Sequence, residues 1–212
     1  MKTDDLIVRL AQSATPVTPL APPFVRLGRW AAVSCAVAGA AILAIGARAD
    51  LSPALMRGPF AGSLVLLLIA TVASAAMALV SSVPGAERTR ALRAVPVVAA
   101  AAWLGLWLLL ALASTGHGKV FHWACAIEIL TIAVVCGLDL FVMVRRAAPL
   151  RAGWTAFTVC LAAVMLGAAA TQIICPVDDP AHQLVGHVLT AIVVGAAGLV
   201  AGRRVLAGVP RM

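Results

Sequence analysis

The residues of this chain best suited to chemistry are two cysteines and the acidic and histidine residues that follow the second of them. Cys125 opens one long apolar run, and Cys175 closes the next. Cys175 also begins the stretch Cys175-Pro176-Val177-Asp178-Asp179-Pro180-Ala181-His182, and His187 lies five residues further on. That stretch packs a thiol, two carboxylates and an imidazole into a short, proline-bounded loop with no basic residue. A thiolate is a nucleophile and a soft metal ligand, and an imidazole suits borderline ions. If the helix ends that carry them are adjacent, Cys125 and Cys175 can form a disulfide or share a soft metal ion. The plainer reading is that Cys175-Pro176 merely ends a helix and that Cys125 is packing. A transient soft-metal site would draw on Cys125, Cys175 and His182; no resident cofactor is expected.

Other ionisable residues sort by position. His117, His122, His182 and His187 all fall near one end of the apolar runs, a pattern that suits metal or proton sensing. Glu128 lies one helical turn after Cys125, on the same face. Asp139 lies near the opposite end, where Arg145 or an arginine of another helix could pair with it. Cys35, Cys136 and Cys160 sit inside apolar runs, where a thiol acts as a small hydrophobe.

What positions these residues is a set of membrane spans. The 212-residue chain is 63% hydrophobic and 11% charged, with a mean hydropathy of +1.05. A soluble domain would carry about 25% charged residues. Apolar runs occur at Trp30–Ala47, Phe60–Val80, Val95–Ala113, Trp123–Val144, Gly153–Ile173 and Leu184–Ala201. At about 1.5 Å per residue, each helix covers most or all of a hydrocarbon layer about 30 Å thick. Helices satisfy their own backbone in lipid, and the alternation of a membrane barrel is absent. The expected fold is therefore all-α, a polytopic membrane protein of six transmembrane helices.

The net charge is +8, and thirteen of the sixteen basic residues lie in the N-terminal segment, the second and fourth loops and the C-terminal tail. Only Arg48, Arg57 and Lys119 lie on the other side. The positive-inside rule places both termini in the cytoplasm, and the Cys175 loop outside it, in an oxidising compartment. This asymmetry accounts for the charge, so no direct nucleic-acid contact is expected. Arg26, Arg29, the run from Trp30 and Ala47-Arg48-Ala49 imitate a signal peptide. About 25 residues ahead of that basic region argue for a retained span.

Residues 1–29 form the one sizeable segment outside the spans, 30–201 the membrane domain, and 202–212 a basic tail. Thr3 can cap a short helix with Asp4 and Asp5 in its first turn, favourable against the helix dipole. Leu6, Ile7 and Leu10 share one face of it, with Arg9 off that face. So short a helix is marginal alone and needs a surface, a protein partner or the lipid bilayer, to cover its apolar side. Pro16, Pro19, Pro22 and Pro23 then give a semi-stiff linker. Gly198 and Gly202 form a GxxxG pair that favours close helix packing.

The chain resembles the NrsF-type membrane anti-sigma factors, six-span proteins that hold an extracytoplasmic-function sigma factor inactive at the bacterial inner membrane. The likeness covers essentially the whole length. It rests on Met1-Lys2-Thr3-Asp4-Asp5-Leu6-Ile7, the proline-rich linker, Val83-Pro84-Gly85 and the Arg203-Arg204 tail. Its most specific part is Cys175-Pro176-x-Asp178-Asp179-Pro180-x-His182-x-Leu184-Val185-x-His187. Two departures are Gly186, where a bulky aromatic is usual, and Thr190, where a proline is usual. The resemblance implies that Asp4, Asp5, Leu6, Ile7 and Leu10, with part of the linker, contact the sigma factor. It also implies that Cys125 and Cys175 are sensing thiols on the periplasmic side. Around them, His122, Glu128, Asp178, Asp179, His182 and His187 are expected as supporting outer-face polar groups and possible metal ligands.

The combined expectation is a signal transducer rather than an enzyme, one that releases its sigma factor under redox or heavy-metal stress. Two rivals are a quinone-linked thiol oxidoreductase and a metal or small-ion transporter. The first needs a relay of cysteine pairs, usually including Cys-x-x-Cys, which does not occur here. The second needs a polar path to the other side, where Asp139 alone is available.

Overall fold

A computed structural model of the chain describes residues 3–13, 19–83, 90–114, 122–147, 149 and 151–207. Met1, Lys2, Pro16, Pro84, Gly85, Arg88, His117, Lys119 and Arg211 lie outside the described residues. Among those described, the secondary structure is helical throughout. The elements are α1 (Thr3–Ser13), α2 (Pro23–Ile45), α3 (Leu51–Leu55), α4 (Gly58–Ser81), α5 (Arg90–Ala113), α6 (Trp123–Arg145), α7 (Ala152–Ile174), α8 (Pro180–His182) and α9 (Thr190–Ala207). A π-helical turn, Gln183–Leu189, joins α8 to α9. Six helices are long and apolar enough to cross a membrane: α2, α4, α5, α6, α7 and the continuous unit from α8 to α9. The expected six-span, all-α architecture is the one observed.

Two boundaries differ from the sequence expectation. The first span begins at Pro23 rather than Trp30, because Pro22 holds an extended backbone (φ −51°, ψ 148°) and Pro23 occupies the first turn, where its missing N–H costs nothing. Arg26 and Arg29 therefore belong to the helix. The last helix runs to Ala207, so Arg203 and Arg204 sit in its final turns, and Arg203 lies against Gly153 at the start of α7.

The helix α7 is the axis of the bundle. Of its apolar window, 72% is buried, against 17% for α2. It packs against α2, α4, α6 and α9, and its face is made of small residues, Ala162, Ala163, Gly167, Ala168, Ala169 and Ala170, which let neighbouring helices approach. Gly167 is the tightest point: a Cβ there would lie 2.7 Å from the carbonyl oxygen of Ile129 on α6. The GxxxG pair works as expected, with Gly198 against the Cys160 thiol and Gly202 against Ala156, both on α7. One buried hydroxyl knits three helices. Ser63 Oγ of α4 donates to Gln172 Oε1 of α7 (2.8 Å) and accepts from the indoles of Trp103 (2.9 Å) and Trp107 (3.1 Å) on α5. Its full valence is used, which is what a buried polar atom requires.

The ends of the spans gather into two sets. At the end that carries the termini, buried Arg26 of α2 reaches Ser82 after α4 (3.5 Å) and donates to the carbonyl of Met143 on α6. At the opposite end, the segment after α2 meets the end of α7: Arg48 N–H donates to the Ile173 carbonyl (3.0 Å).

A buried thiol and histidine cluster beside an ion clasp

Four side chains converge at this second end. Cys125 is in the first turn of α6, Cys175 caps α7, His182 ends α8, and His187 lies in the π-helical turn. All four are buried, at 5%, 5%, 0% and 1% exposure respectively. One ligand atom from each lies within 4.8 Å of all the others. The Cys175 thiol is 3.3 Å from His182 Nε2, and the Cys125 thiol is 3.9 Å from the same nitrogen. Both cysteines are free thiols. With Cys125 as its hydrogen-bond partner and the imidazoles of His182 and His187 beside it, Cys175 is held below the usual thiol range.

The local fold explains the convergence. Asp179 caps α8, its Oδ1 accepting from Ala181 N–H (2.8 Å) and His182 N–H (3.1 Å). Gln183 Nε2 donates to the Val177 carbonyl (2.7 Å), pinning the loop to the next helix. In an α-helix, residues five apart face directions about 140° apart. The i→i+5 hydrogen bonding of a π-helix stacks them instead, so His182 and His187 face the same thiols, with ring centroids 5.4 Å apart. Gly186 lies against the His182 ring, where a Cβ would be 3.1 Å from Cε1. The departure noted in the sequence thus makes room for an imidazole.

The acidic residues of the loop have other partners. Asp178 does not join the thiols; it binds Arg48, which approaches from the segment after α2. Buried Arg48 donates to Asp178 (Nη1–Oδ1 2.6 Å, Nη2–Oδ2 2.8 Å) and to Asp50 (Nε–Oδ1 2.7 Å, Nη2–Oδ2 3.0 Å). Arg57 binds the same two carboxylates from the solvent side, at 2.7 and 2.8 Å. The Arg48 guanidinium also lies 5.1 Å from the Phe60 ring centroid. The hydrogen bonds from Asp178 and then Asp50 raise Arg48 above its ordinary range. Arg48, with help from Arg57, holds Asp50 down to about 2. The loop carries no base of its own, but the first loop brings it two.

The remaining candidates fall around this core. The His122 ring packs edge-on against His182 (5.2 Å between centroids) but stands outside the four. Glu128 faces Thr171 next to the cluster, its Oε2 buried without a hydrogen-bond partner. Asp139 does not make the expected ion pair among the described residues, and its Oδ2 is buried without a hydrogen-bond partner. Of the three cysteines read as packing, Cys136 is buried and Cys160 half-buried, but Cys35 is exposed on α2. At the other end, every residue of α1 is exposed, including Leu6, Ile7 and Leu10 at 40%, 58% and 60%. The sequence placed Cys125, Cys175, His182 and His187 at one face as candidate ligands; the clasp, and the alignment of His187 with His182, were not legible there.

These features define a six-span membrane protein with a thiol-imidazole cluster at one end and an unpacked amphipathic helix at the other. Residues 10–207 match the family model NrsF, negative regulator of sigma F, and the chain belongs to that family. The match begins at residue 10, so most of α1 lies ahead of it. No match was found to a curated protein or to a solved structure.

Proposed function

We propose that this protein is an inner-membrane anti-sigma factor with both termini in the cytoplasm, which sequesters an extracytoplasmic-function sigma factor through α1 and releases it when the periplasmic thiol pair reacts. The family supplies the class: its members are negative regulators of a sigma factor. The observation that carries the binding half is α1, whose Leu6, Ile7 and Leu10 face is buried by nothing in the described structure. An isolated helix of 11 residues is marginal in water and gains stability by burying such a face. Asp4 and Asp5 add an acidic rim that suits a basic protein groove better than an anionic lipid surface.

The sensing half rests on Cys125 and Cys175. A peroxide takes one electron and one proton from each thiol; one S–S bond replaces two S–H bonds, and the peroxide leaves as water or an alcohol with water. Either that bond or a captured thiophilic ion would draw the ends of α6 and α7 together. The helix α7 runs from this end to the other and packs on α2, which continues into the linker and α1. A hundredfold increase in release requires the signal to favour the released state by about 2.7 kcal/mol.

Co-purification of the full-length protein with the host's extracytoplasmic-function sigma factors tests the binding half. One of them is expected to be retained, and retention is lost in the Leu6→Asp/Leu10→Asp variant. Retention unchanged in that variant would remove α1 from the account.

A further inference from the structure

We propose that Cys125, Cys175, His182 and His187 form a closed, four-coordinate site for a resident Zn2+ ion, with His187, brought into place by the π-helical turn, as the fourth ligand. The inference deepens the reading of this cluster as the sensing end, and replaces a transient three-residue site with a permanent four-residue one.

Four observations support it. The set is two thiols and two imidazoles, a combination that zinc takes in tetrahedral structural sites. With Zn–S near 2.3 Å and Zn–N near 2.0–2.1 Å, tetrahedral ligand atoms stand about 3.3–3.8 Å apart. The observed 3.3 Å and 3.9 Å separations around His182 Nε2 bracket that range, and the remaining pairs need to close from at most 4.8 Å. All four side chains are buried, so the site has no open position for water or substrate, as in structural rather than catalytic zinc centres. His187 Nε2 is buried with no partner at hydrogen-bond distance, and its ring interacts with the Cys175 thiol, so a shared ion would satisfy both groups.

Charge favours this occupant as well. Two thiolates and one divalent ion sum to zero, so the loaded site can be buried at the edge of a bilayer where two free thiolates could not. The ligands come from α6, the end of α7 and the start of the last span. One ion therefore ties three spans that otherwise meet at this end through helix packing. It would also hold both thiols apart from each other in an oxidising compartment. What the sensor then reads is the loss or replacement of the ion.

The test uses the full-length chain, purified in detergent under reductant without chelators. About one zinc per chain is expected by elemental analysis. Exchange with Co2+ is expected to give the intense visible bands of a tetrahedral ion together with a thiolate charge-transfer band. His187→Ala should weaken Zn2+ affinity by at least the 10–100-fold that loss of an outer-shell partner alone costs. His187→Cys should retain the ion with a stronger charge-transfer band, and Cys35→Ser, at an exposed thiol outside the cluster, should leave both spectra unchanged; together they guard against simple misfolding. Reduced protein that holds no zinc and gives no tetrahedral Co2+ spectrum overturns the proposal; so does a His187→Ala variant with unchanged affinity. Sigma-factor retention by the same preparations reports separately on the anti-sigma reading.

Discussion

The two ends of the bundle are finished in opposite ways. At one end, Arg48, Arg57, Asp50 and Asp178 neutralise one another, and two thiols and two imidazoles are buried behind them. At the other, Arg26 is tied to α4 and α6, yet beyond it α1 presents its whole apolar face uncovered. A closed, pre-arranged end suits a group that must meet only small reagents. An open amphipathic helix suits a large partner that buries it on binding. Under the proposed function, detection falls to the closed end and partner capture to the open one, with α7 between them.

The α6–α7 crossing is most sensitive at Gly167. An alanine there would drive its Cβ into the backbone of Ile129, forcing α6 and α7 apart at an expected cost of about 1–3 kcal/mol. Thermal unfolding of Gly167→Ala in detergent should show that loss, and oxidant-driven cross-linking of Cys125 to Cys175 should slow. An unchanged cross-linking rate would mean that this crossing does not position the thiols.

A smaller effect is expected from the clasp. Asp178→Ala leaves Asp50 to pair with Arg48, so the loss should be about 1.5 kcal/mol, the low end for hydrogen bonds to charged groups. The clasp also has a defined pH window. Asp50 is held at about 2 against an ordinary 3.8. A depressed carboxylate contributes stability that is fully present above its unfolded value and is lost as pH falls through its folded one. The clasp should therefore be indifferent to pH between 5 and 8 and weaken only below about 4. A midpoint near neutrality in wild-type unfolding, abolished by Asp178→Ala, would contradict this assignment.

Much of the molecule was legible in the sequence because lipid imposes a coarse rule. Every span must be a long apolar helix, so six of them could be counted, and residues at their ends could be placed at one face or the other. That put Cys125 and Cys175 at the same face, with their adjacency left to the helix packing. What stayed hidden depended on exceptions to regular geometry or on partners far apart in sequence. An α-helical register separates His182 from His187, and only the π-helical turn aligns them. Arg48 lies 130 residues from Asp178, and nothing in either loop points to the other. Gly167 is one small residue among many, and its close approach to Ile129 is a property of the crossing rather than of local sequence. Asp139 shows the converse: arginines nearby in sequence did not become partners in space.

The link between the two ends is best tested by release. The full-length protein, reconstituted in nanodiscs with its sigma factor bound, would be treated with the thiol oxidant diamide while the bound sigma factor is followed. Wild type should lose most of its sigma factor, while Cys125→Ser and Cys175→Ser variants, loaded equally, should keep it. Retention by oxidised wild type, or equal release from the serine variants, would contradict the assignment of detection to one end and capture to the other.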